Sequence, residues 1–225
     1  MFDARFVVRG AEERAVRRGL ARAGAASSIA LHPIGIGPAA ADAAAQAVLA
    51  GAGEPPARVL IAGLCGALSA TLEVGDVLFY STLRDSDGAT VATDAALTAR
   101  LLDTVPSAQS GIRALATSLI VVEAAEKAQL AQRYDVDAVD MESQALVQRL
   151  GEAGSSVAVL RVVSDCVDDD LPDLNSAVGA DGALSRGALL AASFKRPLAA
   201  LRMARNGARA LASLEHALSV AAQAR

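Results

Sequence analysis

Val157-Ala158-Val159-Leu160-Arg161-Val162-Val163-Ser164-Asp165 is the stretch on which the fold turns. Its first seven residues are apolar on both faces except for Arg161 and rich in β-branched side chains, the composition of a central strand covered on both sides. Ser164 and Asp165 then stand just past the strand, where ligands collect in open α/β sheets. Working back along the chain, a helix over Ser143 to Ala153 and a short strand at Ala138 to Val139 precede it. A strand–helix–strand unit of this length brings both carboxyl ends to one sheet edge, so Glu142 and Asp165 are expected to face one pocket although 23 positions separate them. Two carboxylates at one mouth suit acid/base chemistry. Equally, Glu142 suits the start of its helix as a favourable charge and Asp165 suits a turn cap, and spacing alone leaves the two readings level.

The same alternation fills the rest of the chain. Strands are expected at Phe6 to Arg9, Ser28 to Pro33, Val59 to Ala62, Val77 to Thr82 and Ala114 to Ser118, with helices at Glu12 to Ala23, Pro38 to Ala50, Asp94 to Asp103 and Ala125 to Tyr134. This predicts one α/β domain over residues 1–194, a three-layer α/β/α sandwich with a central mixed sheet. Residues 195–225 differ in character. They hold Lys195, Arg196, Arg202, Arg205, Arg209 and Arg225 against Glu215 alone. Leu201, Ala204, Ala208, Leu211, Leu214 and Leu218 recur at helical spacing with arginines on a roughly opposite face, so a basic amphipathic helix is expected. Such a helix docks on the body with its arginines solvated, or else rests on an anionic membrane surface or lines the approach for an apolar substrate.

Length and composition exclude several classes. The chain has 225 residues, 53% of them hydrophobic, enough for one large core. A net charge of −4 and 3% aromatics offer neither the field nor the rings for nucleic acid. Cys65 and Cys166 make no disulfide framework and no CxxC pair, which fits a cytoplasmic protein. No metal or bound cofactor is expected. The His32 and His216 side chains have no partner motif and read as packed or surface histidines.

Three further turns follow strands. Gly10-Ala11-Glu12-Glu13-Arg14 opens the first helix, where free amides and Arg14 suit an anion or an attacking water. Ile34-Gly35-Ile36-Gly37-Pro38-Ala39-Ala40 has the G-x-G-x-x-A form of a dinucleotide turn, which carries a weak reading as a nicotinamide-dependent oxidoreductase through Gly35 and Gly37. Ala62-Gly63-Leu64-Cys65-Gly66-Ala67 is expected to be a small-residue loop that lets a ligand approach the backbone. The acids Asp168, Asp169 and Asp170 suit a solvated loop, a metal, or closure of the pocket.

Val139-Asp140-Met141-Glu142-Ser143 followed by Arg161-Val162-Val163-Ser164-Asp165, with Gly75-Asp76-Val77 before them, resembles the superfamily of purine nucleoside phosphorylases and methylthioadenosine/adenosylhomocysteine nucleosidases. The resemblance runs from about Phe6 to Asp170. Glu126-Lys127-Ala128 and Lys195-Arg196-Pro197-Leu198 are similar to its hopanoid-associated branch, which is linked to removal of adenine from adenosylhopane. The resemblance implies cleavage of the N-glycosidic bond of a purine nucleoside, with adenine as the expected base. It implies Asp165 as the acid that protonates N7, with Ser164 orienting it, and Glu142 as the ligand of the ribose hydroxyls above a floor of Met141. Asp165 must then hold a proton near neutral pH, which burial or a nearby carboxylate would arrange.

For the base, the resemblance implies a slot along Ser118-Leu119-Ile120-Val121, with Ile120 and Val121 aliphatic where many relatives place a ring. For the nucleophile, Gly10 and Arg14 match a phosphate loop, and Gly63 and Cys65 lie in the later Gly-rich loop. The Arg and Ser that complete that anion site in phosphorylases are here Ile61 and Leu64, so hydrolysis is slightly favoured and phosphate as a cosubstrate stays open. Glu13 is the expected water-positioning acid. A homo-oligomer is implied, and a noncatalytic nucleoside-binding protein on the same fold is the alternative. The tail leaves room for peripheral contact with the inner face of a membrane.

Overall fold

The computed structural model describes residues 2–25, 30–179 and 181–222. It is an α/β domain whose central mixed sheet carries helices on both faces. The strands are β1 (Ala4–Val8), β2 (Ala30–Ile34), β3 (Arg58–Ala67), β4 (Val77–Arg84), β5 (Thr90–Ala92), β6 (Gln109–Ala116), β7 (Ala138–Asp140) and β8 (Ser156–Asp165). The helices are α1 (Ala11–Arg22), α2 (Pro38–Gly51), α3 (Ala95–Leu102), α4 (Ala124–Tyr134), α5 (Ser143–Glu152), α6 (Arg186–Lys195) and α7 (Pro197–Ala221). The expected strand start at Ser28 lies outside the described residues.

As its composition required, β8 is buried almost throughout and runs between β3, parallel to it, and β4, antiparallel to it. The pairing also runs β3–β7–β6–β4, so β3, β8, β4, β6 and β7 form a closed circuit from which β1 and β2 extend. One apolar cluster joins Phe6, Ile61 and Val159 to Leu146 of α5 and Ala41 of α2. Another joins Val7, Leu60 and Leu160 to Val16 of α1, Leu101 of α3 and Leu214 of α7.

Three local expectations need correction. Gly63-Leu64-Cys65-Gly66 is not a loop after a strand. It is the second half of β3, because β8 lies in register beside it, pairing Gly63 with Arg161 and Cys65 with Val163. Nor do β7 and β8 form a parallel pair, since β7 runs antiparallel to β3 and β8 parallel to it. They meet because both pair with the same few residues: Gly66 stands opposite Val139 on one side and Asp165 on the other. Finally, α6 adds a helix that the Ala-rich stretch before Lys195 concealed.

The tail is one long helix with a changing inner face. Leu214 and Leu218 are buried against α1 as expected, with Ala210, Ala217 and Ala221 beside them. Contact is close enough that a Cβ on Gly19 would come 2.5 Å from the Glu215 carbonyl oxygen. The buried Glu215 carboxylate is held by Arg18 at 2.6 Å and Arg22 at 2.8 Å. Toward the other end, Leu201, Ala204 and Ala208 face outward, while Met203 and Asn206 turn toward the body. No helix among the described residues is long and apolar enough to cross a membrane.

Candidate active site

Where β3 is flanked by β7 and β8, a chamber of about 320 Å³ opens, lined by Glu12, Cys65, Gly66, Ile120, Val121, Met141, Glu142, Ser164 and Asp165 among others. Glu142 and Asp165 thus share one cavity. At one side stands a charge cluster centred on Arg161, a β8 side chain only 1% exposed. Its guanidinium reaches Asp140 at 3.0 Å, Glu142 at 3.3 Å, the Ser143 hydroxyl at 2.8 Å and the Leu64 carbonyl at 3.3 Å. Burial opposes its charge, yet Asp140 and Glu142 outweigh burial and raise its pKa. An arginine in a central strand stays charged when buried and must find carboxylates. That rule was the signal in the sequence for this cluster.

Glu142, at the start of α5, is fixed from two directions. Its Oε1 accepts from the Gly37 amide at 2.9 Å and its Oε2 from Arg161. Burial raises its pKa, with Arg161 opposing and Asp140 adding to the rise. The Gly37 bond also decides the dinucleotide reading: the amide at the α2 N-terminus is occupied by a carboxylate of the protein, and the Ile36 amide donates to the Gly182 carbonyl at 2.9 Å. A pyrophosphate would find those donors already used, so the nicotinamide reading does not stand.

Of the two acids that open α1, the one at the chamber is not the one expected. Glu13 pairs with Arg17 one turn along α1 at 2.8 Å and does not line the chamber. Glu12 does, its Oε2 accepting from the Leu64 amide at 3.0 Å. Burial pushes its carboxyl up to about 7, with Arg161 opposing and Glu142 adding. The helical turn explains the exchange, since side chains one position apart on α1 point about 100° away from each other. Gly63 proves to be a packing position and not a wall of the chamber: a Cβ there would lie 2.2 Å from Arg161 Nη1 and 2.4 Å from Glu12 Oε2. Gly10 and Arg14 also lie off the chamber lining, and Arg14 is exposed. Cys65 is on the wall, but burial pushes its thiol up to about 12, which leaves it a packing group.

Asp165 stands at the other side. Ser164 Oγ donates to its Oδ1 at 2.7 Å, in line with an orienting role. Its charged partner is Lys127 of α4, fully buried, with Nζ at 2.5 Å from Oδ2. The same ammonium donates to the carbonyls of Cys166 at 2.8 Å and Asp169 at 3.1 Å, clamping the turn after β8. Asp165 is buried, one of the two conditions expected of it, but the charged group beside it is a cation and not a second carboxylate. Asp169 is no solvated loop residue: it accepts from the Cys166 amide, Asn206 and Arg202, tying the turn to α7. The described residues hold no group of three or more His, Cys, Asp or Glu side chains placed to bind a metal ion.

Residues 5–190 match the model of the Phosphorylase superfamily, and the chain belongs to that family. Curated proteins give no sequence match. Among solved structures, the fold is similar to 5′-methylthioadenosine/S-adenosylhomocysteine nucleosidase from Helicobacter pylori in complex with butyl-thio-DADMe-Immucillin-A. That likeness has TM-score 0.65 and 17% identity over 87% of this chain and 96% of the other. The Neisseria meningitidis enzyme of the same name, in complex with methylthio-immucillin-A, gives TM-score 0.65 and 18% identity over 95% and 97%. A futalosine hydrolase mutant of Helicobacter pylori gives 0.62 and 16% over 87% and 96%.

Proposed function

We propose that the protein hydrolyses the N-glycosidic bond of a purine nucleoside, with adenine as the departing base. One observation carries the reading: Glu12, Glu142 and Asp165 converge on a single chamber from three separate elements. The relatives named as nucleosidases and a hydrolase support it. In this mechanism Glu142 accepts hydrogen bonds from the ribose hydroxyls and places negative charge near the developing oxocarbenium ion, over Met141. Ile120 and Val121 flank the base. As the C1′–N9 bond breaks, its electrons pass into the purine and Asp165 delivers a proton to N7. Transfer from Lys127 Nζ to Asp165 Oδ2 supplies that proton. Glu12 takes a proton from the water whose oxygen joins C1′, and exchange through solvent restores both groups.

Electrostatics favour water over phosphate. Glu12, Asp140, Glu142 and Asp165 all line the chamber, while Arg161 and Lys127 are committed to those carboxylates. A phosphate dianion would enter a region already rich in negative charge, and Gly10 and Arg14 are not on its wall to receive it. The test is product identity. Incubation with adenosine and with 5′-substituted adenosines should release adenine and free sugar at a rate unchanged by phosphate. Release of the sugar 1-phosphate would make the enzyme a phosphorylase, and tight adenine binding without turnover in either medium would make it a noncatalytic binder.

On the resemblance to the hopanoid-associated branch, adenosylhopane is the substrate to set beside those nucleosides. The apolar part of the lining, with Leu119, Leu171, Leu174 and Met203, supports a nucleoside with an apolar 5′ extension. The same reading puts a homo-oligomer in the cytoplasm, working against the inner face of the membrane when the nucleoside is borne by a lipid.

A further inference from the structure

Among the described residues, four of the six exposed large hydrophobics fall within twelve positions across the α6–α7 junction: Leu190 is 61% exposed, Phe194 84%, Leu198 82% and Leu201 66%. The inner side of the same corner is apolar too. Ala188, Leu189, Ala192 and Met203 pack on Leu174, Ala177 and Ile120, and Met203 with Gly207 lines the chamber. A helix pair that is apolar on the face it buries and also on the face it leaves open has a second partner to find. We infer that this corner is a docking surface for an anionic lipid bilayer, with Phe194 and Leu198 entering the acyl boundary and the surrounding cations at the headgroups.

Charge chooses the occupant. From Arg186 to Arg209 the sequence holds six basic residues and no carboxylate, in a chain whose net charge is −4. Lys195, Arg205 and Arg209 are exposed. Arg196 and Arg202, although paired with Glu123 and Asp169, keep 42% and 43% of their side chains open. A second copy seated on the same patch by two-fold symmetry would bring Lys195, Arg196, Arg202, Arg205 and Arg209 against the same five cations, which the charge-depleted centre of a homodimer interface avoids. An anionic bilayer satisfies both halves of the pattern, taking apolar side chains into its boundary and attracting the basic residues to its charged surface. The surface also deepens the proposed function, on which it rests for its purpose alone: the corner that docks is the corner that roofs the chamber, so a lipid-borne nucleoside would reach the site without crossing water.

The experiment is vesicle flotation of the full chain with phosphatidylcholine vesicles, with and without phosphatidylglycerol. Capture should require the anionic lipid and weaken as salt rises. The double substitution Phe194→Ser with Leu198→Ser should lower capture at least about tenfold, given the apolar area removed. Neither residue lines the chamber, so turnover of a water-soluble adenosine derivative should be unchanged. Equal capture of the two proteins, no capture of the parent, or a drop in solution mass on substitution, which would mark a second copy as the occupant, overturns the docking surface. Absence of turnover in both proteins would sink the nucleosidase reading while leaving the vesicle result to stand by itself.

Discussion

The two sides of the chamber solve opposite electrostatic problems. On the Glu142 side one guanidinium serves several acids: Arg161 touches Asp140 and Glu142 directly and lies close enough to Glu12 to shape its titration. Acid is in excess there, and the excess together with burial drives Glu12 to about 7, where a carboxyl is half ionised at neutral pH. On the Asp165 side one ammonium serves one carboxylate, Lys127 on Asp165, with carbonyls taking its other hydrogens. Charges balance. The difference teaches that carboxyls sharing one buried cation leave one of their number raised toward neutrality, whereas a carboxylate with a cation to itself is held as an ion pair.

Four substitutions break or sharpen that contrast. The largest effect should follow Arg161→Met, which strands the Asp140 and Glu142 carboxylates in the interior. Removing one partner of a buried ion pair costs about 3–5 kcal/mol, enough that thermal melting should show a strongly destabilised chain, and an unchanged melting temperature would refute the central role given to the guanidinium. Asp165→Asn comes next, with turnover lower by about 10²–10⁴ in a chain that still folds. Activity close to the parent would remove Asp165 as the acid.

Glu12→Gln sharpens the contrast through pH. In the parent, the base form of Glu12 appears as pH rises through about 7, so kcat/KM should climb across that range, and the glutamine variant should lose the limb along with most of the rate. Stability runs the other way. The folded carboxyl ionises at about 7 and the unfolded one near 4.5, so the folded state holds the extra proton between these values. The stability this proton lends is present below 4.5 and lost as pH rises through about 7. Melting temperatures across that window should fall more for the parent than for the variant. The smallest effect belongs to Glu13→Gln, which removes an i,i+4 surface pair of about 0.3–0.5 kcal/mol and should leave turnover within about twofold of the parent, a change small against the spread of catalytic effects. A large loss there would return the water-positioning role to Glu13.

Sequence by itself determined the class of fold and the address of the site. The apolar run of β8 read as an inner strand and the alternation with helices as packed layers, because these are local properties of spacing and side-chain type, while the pair ending in Glu142 and Asp165 was singled out by its resemblance to a family, spacing alone having left it level with a capping role. Tertiary structure alone decided how those marks meet. Glu142 and Asp165 converge through their shared partner β3 and not through a parallel strand pair, because pairing across a sheet is set by contacts remote in sequence. Glu12 lines the chamber and Glu13 does not, because the rotation of α1 against β3 fixes which side chain reaches the Leu64 amide. Lys127, whose place among the motifs was visible but whose partner was not, belongs to the site because α4 buries its ammonium under the turn after β8. The tail shows the same division: periodicity found the helix, and the body it packs on chose which face to hide.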